Sequence, residues 1–199
     1  MGSERLSCRV FVIGKGKSLK DIDLSLLENE YTMCINHVVF DVPNPSAVVF
    51  VDKIFVEGYQ DFLESFEGHI FCGPRTGWTE YIQLPRKYTM LSGLFALHVA
   101  RVITTGNIYM LGYDMNRVDD FPYYKDHIDN IQIRENFEKK DGSFRLFYNE
   151  PSWISKRLAS FENNFDDSKH RIFNCNPKSA IKTFQFVDYQ EVINDMSKV

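Results

Sequence analysis

An unbroken apolar run, Val10-Phe-Val-Ile13, stops at a glycine and opens into Gly14-Lys-Gly-Lys-Ser18. β-Branched and aromatic residues in a short apolar stretch read as a strand buried on both faces, the mark of a parallel sheet. Glycines directly after such a strand read as a tight turn at its carboxyl end, where open α/β sheets most often hold nucleotides. Exposed backbone N–H groups there, with Lys15, Lys17 and Ser18, have the chemistry to hold a phosphate. The loop does not carry the full Walker spacing or the complete Gly-x-Gly-x-x-Gly fingerprint. An ordinary tight turn accounts for its glycines as well as a ligand does.

The same strand pattern recurs along the chain. Apolar runs at 9–13, 31–35, 47–51, 69–72, 107–111 and 171–174 predict strands. Between several of them lie helical stretches. Residues 58–66 place Tyr59, Phe62, Leu63 and Phe66 at helical spacing. Ser92 reads as the cap of a helix through Thr104, and Pro151-Ser152 introduces another with Trp153, Ile154, Leu158 and Phe161 on one stripe. A last amphipathic piece runs from Tyr189 to residue 196. Strands alternating with helices predict an α/β, Rossmann-like fold, a mostly parallel sheet flanked by helices. The rhythm breaks over 113–150, which is polar, aromatic and rich in Asp and Asn. A stretch of that length without periodicity reads as a lid or acceptor-binding insertion within one domain spanning 1–199.

The chain of 199 residues is long enough to bury a core without disulfides. Its formal charge of −4 argues against a broad nucleic-acid surface, though not against a local basic patch. Cys8, Cys34, Cys72 and Cys175 are scattered without a Cys-x-x-Cys spacing, so neither zinc nor a redox pair is indicated, and Cys34 and Cys72 read as buried free thiols. The first residues lack the apolar stretch of a secretory signal, and no run is long enough to span a bilayer, so the expected location is cytoplasmic.

Four segments, in order, resemble the bacterial lipooligosaccharide sialyltransferases. Gly14-Lys-Gly-Lys-Ser-Leu-Lys-Asp-Ile-Asp23 resembles that family's glycine loop and the residues after it. Met33-Cys-Ile-Asn-His-Val-Val-Phe40 is similar to its second strand, which ends in an Asn facing the nucleotide. Leu91-Ser-Gly-Leu-Phe-Ala-Leu97, followed by Ile108-Tyr-Met-Leu-Gly-Tyr-Asp114, resembles its Ser-Gly helix start and next strand. Phe173-Asn-Cys-Asn-Pro-Lys-Ser179 is similar to its last strand and Asn/Ser loop. The resemblance implies a glycosyltransferase that uses a nucleotide-activated sugar, CMP- or UDP-linked, without a metal or other cofactor. It places Gly14, Lys15, Gly16, Lys17 and Ser18 beside the phosphate, Asn36 on the nucleotide or sugar, and Ser92 and Gly93 on the nucleotide at a helix start.

The sequence departs from that family in several places. Its loop asparagine is Lys15 here, and the threonine before its Ser-Gly pair is Leu91. The region of its catalytic histidine reads Phe147-Tyr-Asn-Glu-Pro151, with no histidine. Its phosphate-neutralising tyrosines have only loose counterparts among Tyr113, Tyr123, Tyr124 and Tyr148. These departures point to a different sugar and a different base.

Glycosyl transfer develops positive charge on the sugar ring and negative charge on the leaving phosphate. Lys15, Lys17, the Ser92 helix start and the hydroxyls of Tyr123 or Tyr124 are the candidates to stabilise that phosphate. Candidates for the base are Asp52 and Asp114, both at strand ends, and His127 in the insertion. His37 beside Asn36 is a further possibility, whereas His98 sits on an apolar helical face and reads as structural. Asp21 and Asp23 read as turn or capping residues, and Asp119-Asp120 as a solvated pair, so no metal is expected. The acceptor is a glycan, a lipid-linked saccharide, a small molecule, or a hydroxymethylated DNA base held by Arg75, Arg86, Lys87 and Arg117. Two other readings remain: diphosphate transfer to a pterin-like alcohol, and a nucleotide-binding module without activity.

Overall fold

The computed structural model describes residues 5–78, 91–115 and 151–195, with side chains from Ser155 onward in the last segment. The sheet has seven parallel strands: β1 (Val10–Ile13), β2 (Tyr31–Ile35), β3 (Ala47–Phe50), β4 (His69–Cys72), β5 (Ile108–Leu111), β6 (Ile172–Asn174) and β7 (Gln185–Phe186). Their order is β4-β3-β2-β1-β5-β6-β7. The described helices are α1 (Lys53–Ser65), α2 (Ser92–Ile103), α3 (Pro151–Glu162) and α4 (Tyr189–Asn194). The fold is therefore the expected α/β, Rossmann-like arrangement.

Register explains the unbroken apolar runs. Val10 pairs with Tyr31 on one side and Ile108 on the other, and Ile13 with Cys34 and Leu111. Alternate residues then point to opposite faces. Val10, Val12, Met33, Ile35, Val49 and Met110 join the core that also holds Leu94, Phe95, Leu97 and Val99 of α2 and Phe161 of α3. Phe11, Ile13, Cys34, Val48, Phe50 and Leu111 join the opposite core with Phe55 and Leu63 of α1 and Tyr189 and Val192 of α4. Both faces are covered, so a polar residue at any of these positions would be stranded away from water. His98 lies within α2, buried and stacked on Phe165 with ring centroids 4.5 Å apart, the structural role its apolar face suggested.

Several boundaries differ from the sequence expectation. α1 begins at Lys53, not Gly58, and its backbone leaves helical geometry at Tyr59 (φ −138°, ψ 31°). Gly58 thus precedes a kink instead of a start. Ser92 is the first residue of α2, not its cap; Leu91 holds the cap position and makes no side-chain capping bond. β7 was not anticipated, because its two residues are exposed and form no apolar run. Asp23 does cap a short 3₁₀ turn, its carboxylate accepting from the Ser25 N–H at 3.0 Å. Cys34, Cys72 and Cys175 are buried free thiols, and Cys8 is exposed. No described helix is long and apolar enough to cross a membrane. Of the expected insertion over 113–150, residues 116–150, with Tyr123, Tyr124, His127 and Tyr148, lie outside the described residues, as do Asp119, Asp120, Arg86, Lys87 and Arg117.

Candidate functional site

The strand order reverses between β1 and β5, so their connections leave in opposite directions and open a crevice beyond the strand tips. The residues there are Gly14–Ser18 after β1, Asn36 and His37 after β2, Asp52 after β3, Gly112–Asp114 after β5, and Asn174–Ser179 after β6. They divide into a stitched side and an open polar corner.

The stitched side uses the glycine loop for packing. The Gly14 N–H donates to the Leu111 carbonyl at 2.8 Å and the Gly16 N–H to the Gly112 carbonyl at 2.9 Å. A Cβ on Gly16 would stand 2.5 Å from the Asp114 carboxyl carbon. The Ser18 N–H donates to Asp114 Oδ2 at 3.0 Å, and the Ser18 hydroxyl donates to Asp114 Oδ1. The expectation of ligand-facing N–H groups in this loop is therefore corrected at Gly14, Gly16 and Ser18. Their donors face the β5 loop, and the glycines are there because another backbone passes close by.

Asp114 is the knot of this arrangement. Besides Ser18, its Oδ1 accepts from Asn176 Nδ2 at 2.8 Å, and its backbone carbonyl accepts from the Ala180 N–H at 2.8 Å. Ser179 donates its hydroxyl to the Tyr113 carbonyl at 2.5 Å. Asn174 accepts from the Asn176 N–H at 3.1 Å and donates to the Ile181 carbonyl at 3.3 Å. Three donors thus occupy a carboxylate with about four lone-pair sites. Such a group holds the loops after β1, β5 and β6 together.

The open corner gathers Lys15, Asn36, His37 and Asp52. Asn36 follows β2 with φ at 53°, the left-handed region that a non-glycine residue seldom adopts. Among the described residues its Oδ1 is buried with no hydrogen-bond partner. Lys15 Nζ stands 3.4 Å from His37 Nδ1. Burial brings the Lys15 ammonium down to about 8, while the negative charge of Asp52 pulls the other way. Burial also raises the Asp52 carboxyl above the usual carboxylate range, with Lys15 attraction opposing it. Asp52 occupies the cap position of α1 yet makes no side-chain capping bond, and the residue keeps contact with solvent. Its carboxylate is raised in basicity and not consumed by the helix.

On the far side of the sheet tips, Ser92 and Gly93 start α2. Tyr113 is buried against them: its hydroxyl donates to the Gly93 carbonyl at 2.9 Å, and a Cβ on Gly93 would meet its ring at 3.0 Å. Tyr113 is thereby a packing residue, and burial pushes its phenol well above the ordinary value. Among the described residues no three of His, Cys, Asp and Glu converge as a metal-binding group.

In the sequence Lys15, Asn36, His37 and Asp52 stand apart as polar residues past strand ends; only the fold brings Lys15 to His37 and Asp52. Likewise only the fold joins the segment Tyr113–Asp114 to Asn176 and Ser179. The only local signal for either was their common position just past strand ends.

No family model and no curated protein sequence matches this chain. Among solved structures it is similar to the monofunctional alpha-2,3-sialyltransferase Cst-I from Campylobacter jejuni, at 16% identity and a TM-score of 0.54, over 94% of this chain and 83% of that one. The chain has a sialyltransferase-like fold.

Proposed function

We propose that the protein is a glycosyltransferase that moves a sugar from a nucleotide-linked donor to a hydroxyl acceptor, by inverting displacement without a metal. The observation that carries this reading is Asn36: a strained backbone and a buried, unpartnered amide oxygen at the tip of a central strand. Strain and an unmade hydrogen bond at one residue are a combination that a bound ligand resolves. The sialyltransferase-like fold supports a glycosyltransferase reading.

In this reading the nucleotide lies across the tips of β1 and β2, with Asn36 bonding its base or sugar and the start of α2 at Ser92 and Gly93 directed toward negative charge. The bond between the anomeric carbon and the donor phosphate oxygen breaks as the acceptor oxygen attacks the opposite face of the ring. Its electron pair leaves with the phosphate, where Lys15 and Lys17 offset the charge. The acceptor proton goes to Asp52, which stands in for the missing histidine, while Asp114 holds the loops together through three hydrogen bonds. The acceptor is a glycan or another hydroxyl-bearing molecule.

A thermal-shift series with CMP-, UDP- and GDP-sugars, each with Mg²⁺ or EDTA, tests the reading. One nucleotide class is expected to raise the melting temperature by mass action regardless of EDTA, and to be consumed when a hydroxyl acceptor is added. No shift with any donor would reject it. A shift without turnover on any acceptor would leave a nucleotide-binding module instead.

A further inference from the structure

An inverting displacement is linear: the acceptor oxygen attacks the face of the sugar ring opposite the leaving phosphate. In the reading above, the phosphate lies by Lys15 past β1 and the base is Asp52 past β3. The line of attack then runs along the strand order β1-β2-β3-β4. Adjacent strands stand roughly 5 Å apart. An acceptor whose hydroxyl is held at Asp52 therefore extends over the tip of β4.

The chain that leaves β4 is Gly73-Pro-Arg-Thr-Gly-Trp78. It starts directly beside the Asp52 corner. The Gly73 N–H donates to the Phe50 carbonyl at 3.1 Å, and a Cβ on Gly73 would stand 3.5 Å from the Val51 side chain. Pro74 suits the second position of a β-turn, which closes as the Thr76 N–H donates to the Gly73 carbonyl at 3.2 Å. The Thr76 hydroxyl donates to that same carbonyl at 2.9 Å and accepts from the Trp78 N–H at 3.3 Å. Gly77 between them holds φ at 79°, a conformation that suits glycine. Trp78 is thus tied back to the turn, two residues and at most about 7 Å along the chain from Thr76. It packs against the core that holds Phe50, Phe55 and Cys72, yet is only half-buried. A large rigid ring with one part in the core and another in water has the form of a stacking platform.

We propose that Trp78 is the platform of an acceptor subsite for saccharides, on which a hexopyranose ring stacks while its hydroxyl is presented to Asp52. This rests on the glycosyltransferase reading above and names its acceptor class. The C–H groups on one face of a pyranose are slightly positive and the indole face is negative, so the two attract as they shed water. Arg75, exposed on the same turn, has donors for the hydroxyls around the sugar. No covalent bond changes in the subsite; it acts on acceptor binding.

The chain has two tryptophans, Trp78 and Trp153, so its emission reports on the subsite. Maltose, cellobiose and lactose are titrated into the full chain with CMP or UDP present, then offered as acceptors with the matching sugar donors. At least one disaccharide is expected to shift the wild-type emission and to leave that of Trp78→Phe unshifted. Trp78→Leu keeps apolar bulk without a ring face. It is expected to raise KM for that disaccharide about tenfold, with kcat, nucleotide affinity and slow transfer to water unchanged. Trp78→Phe is expected to recover most of that loss. A folded Trp78→Leu protein with the wild-type KM, or one that loses nucleotide affinity equally, overturns the inference and leaves Trp78 a packing residue. The wild-type titration needs no variant to fold: nucleotide binding with no emission change for any of the three sugars overturns the inference alone. Glycosylation of hydroxymethylated DNA in that case would assign the platform to a base, which also stacks on an indole. No binding of CMP or UDP overturns the donor reading itself.

Discussion

Gly14 and Gly112 occupy each other's space: a Cβ on Gly14 would stand 2.7 Å from the Gly112 carbonyl oxygen, and one on Gly112 would stand 2.5 Å from that of Gly14. Two loops that leave the sheet in opposite directions touch backbone to backbone at the point where the strand order reverses. Gly112 also holds φ at 65°, where a side chain is strained whatever the space. Gly112→Ala is expected to lower stability by at least about 2 kcal/mol. Gly14→Ala, which meets the close contact without the positive φ, should cost less than Gly112→Ala, at the low end of roughly 1–3 kcal/mol. Urea unfolding followed by circular dichroism measures both, and wild-type stability in Gly112→Ala would contradict the packing described.

Gly16 and Asp114 form one unit, since a methyl on the first displaces the carboxyl of the second. Asp114→Ala strands the donors of Ser18 and Asn176 and is expected to cost about 3 kcal/mol. Gly16→Ala should break the same bonds, so the double variant is expected to lose less than the two single losses combined. Strict additivity in a double-mutant cycle would separate them.

Asn36→Gly distinguishes strain from binding. Glycine accepts the left-handed backbone freely, so stability should stay within about 1 kcal/mol of the wild type. Donor affinity should drop, about five- to tenfold, for a single lost hydrogen bond. Unchanged donor affinity in this variant would remove Asn36 from the site.

Asp52→Asn is expected to lower turnover about 10²–10⁴-fold, the usual span for a lost general base, while donor binding changes little. The sign of the pH effect follows from its environment. A base works when ionised, and burial raises the Asp52 carboxyl. Activity should therefore fall as acidity increases through a point above the ordinary value of about 3.9. A kcat profile with no acid limb would exclude Asp52 from the role.

Lys15 also makes a prediction about the unliganded protein. Its amine falls from 10.5 to about 8 on folding. Between those values the unfolded chain holds more protons than the folded one, so this residue's contribution to stability rises with pH across that window. Below about pH 8 its full burden is present, on the order of 3 kcal/mol before solvent screening. Lys15→Met should be more stable than wild type at pH 7, with the difference shrinking toward pH 10. Equal stability of the two proteins at pH 7 would mean the ammonium is well solvated.

The strands were readable because burial on both faces leaves an unbroken apolar run, as in Val48-Val-Phe50. Their order was not, because nothing in β1 encodes that its second neighbour is β5. The site shows the same division. Lys15, Asn36 and Asp52 are polar residues at the ends of apolar runs, which is visible locally. That Lys15 bonds His37, and that Asp114 reaches back to Ser18, depends on strands brought together by the fold. Gly16 illustrates the cost of that gap. A glycine announces that something comes close; only the tertiary structure says that the visitors are the Asp114 carboxyl and the Gly112 carbonyl. β7 was invisible because two exposed residues carry no periodicity.

β1 stands in the middle of the sheet, with β2 starting at residue 31 on one side and β5 only at residue 108 on the other. During synthesis on the ribosome, β1 through β4 emerge early and can pair, while the second edge of β1 waits for a partner made much later. That edge is a row of unpaired backbone N–H and C=O groups on a strand whose side chains are all apolar and fully buried in the finished protein. A nascent chain halted before residue 108 therefore presents a ready template for intermolecular strand addition. The segment that anchors the completed sheet is thus also the one expected to draw truncated products together.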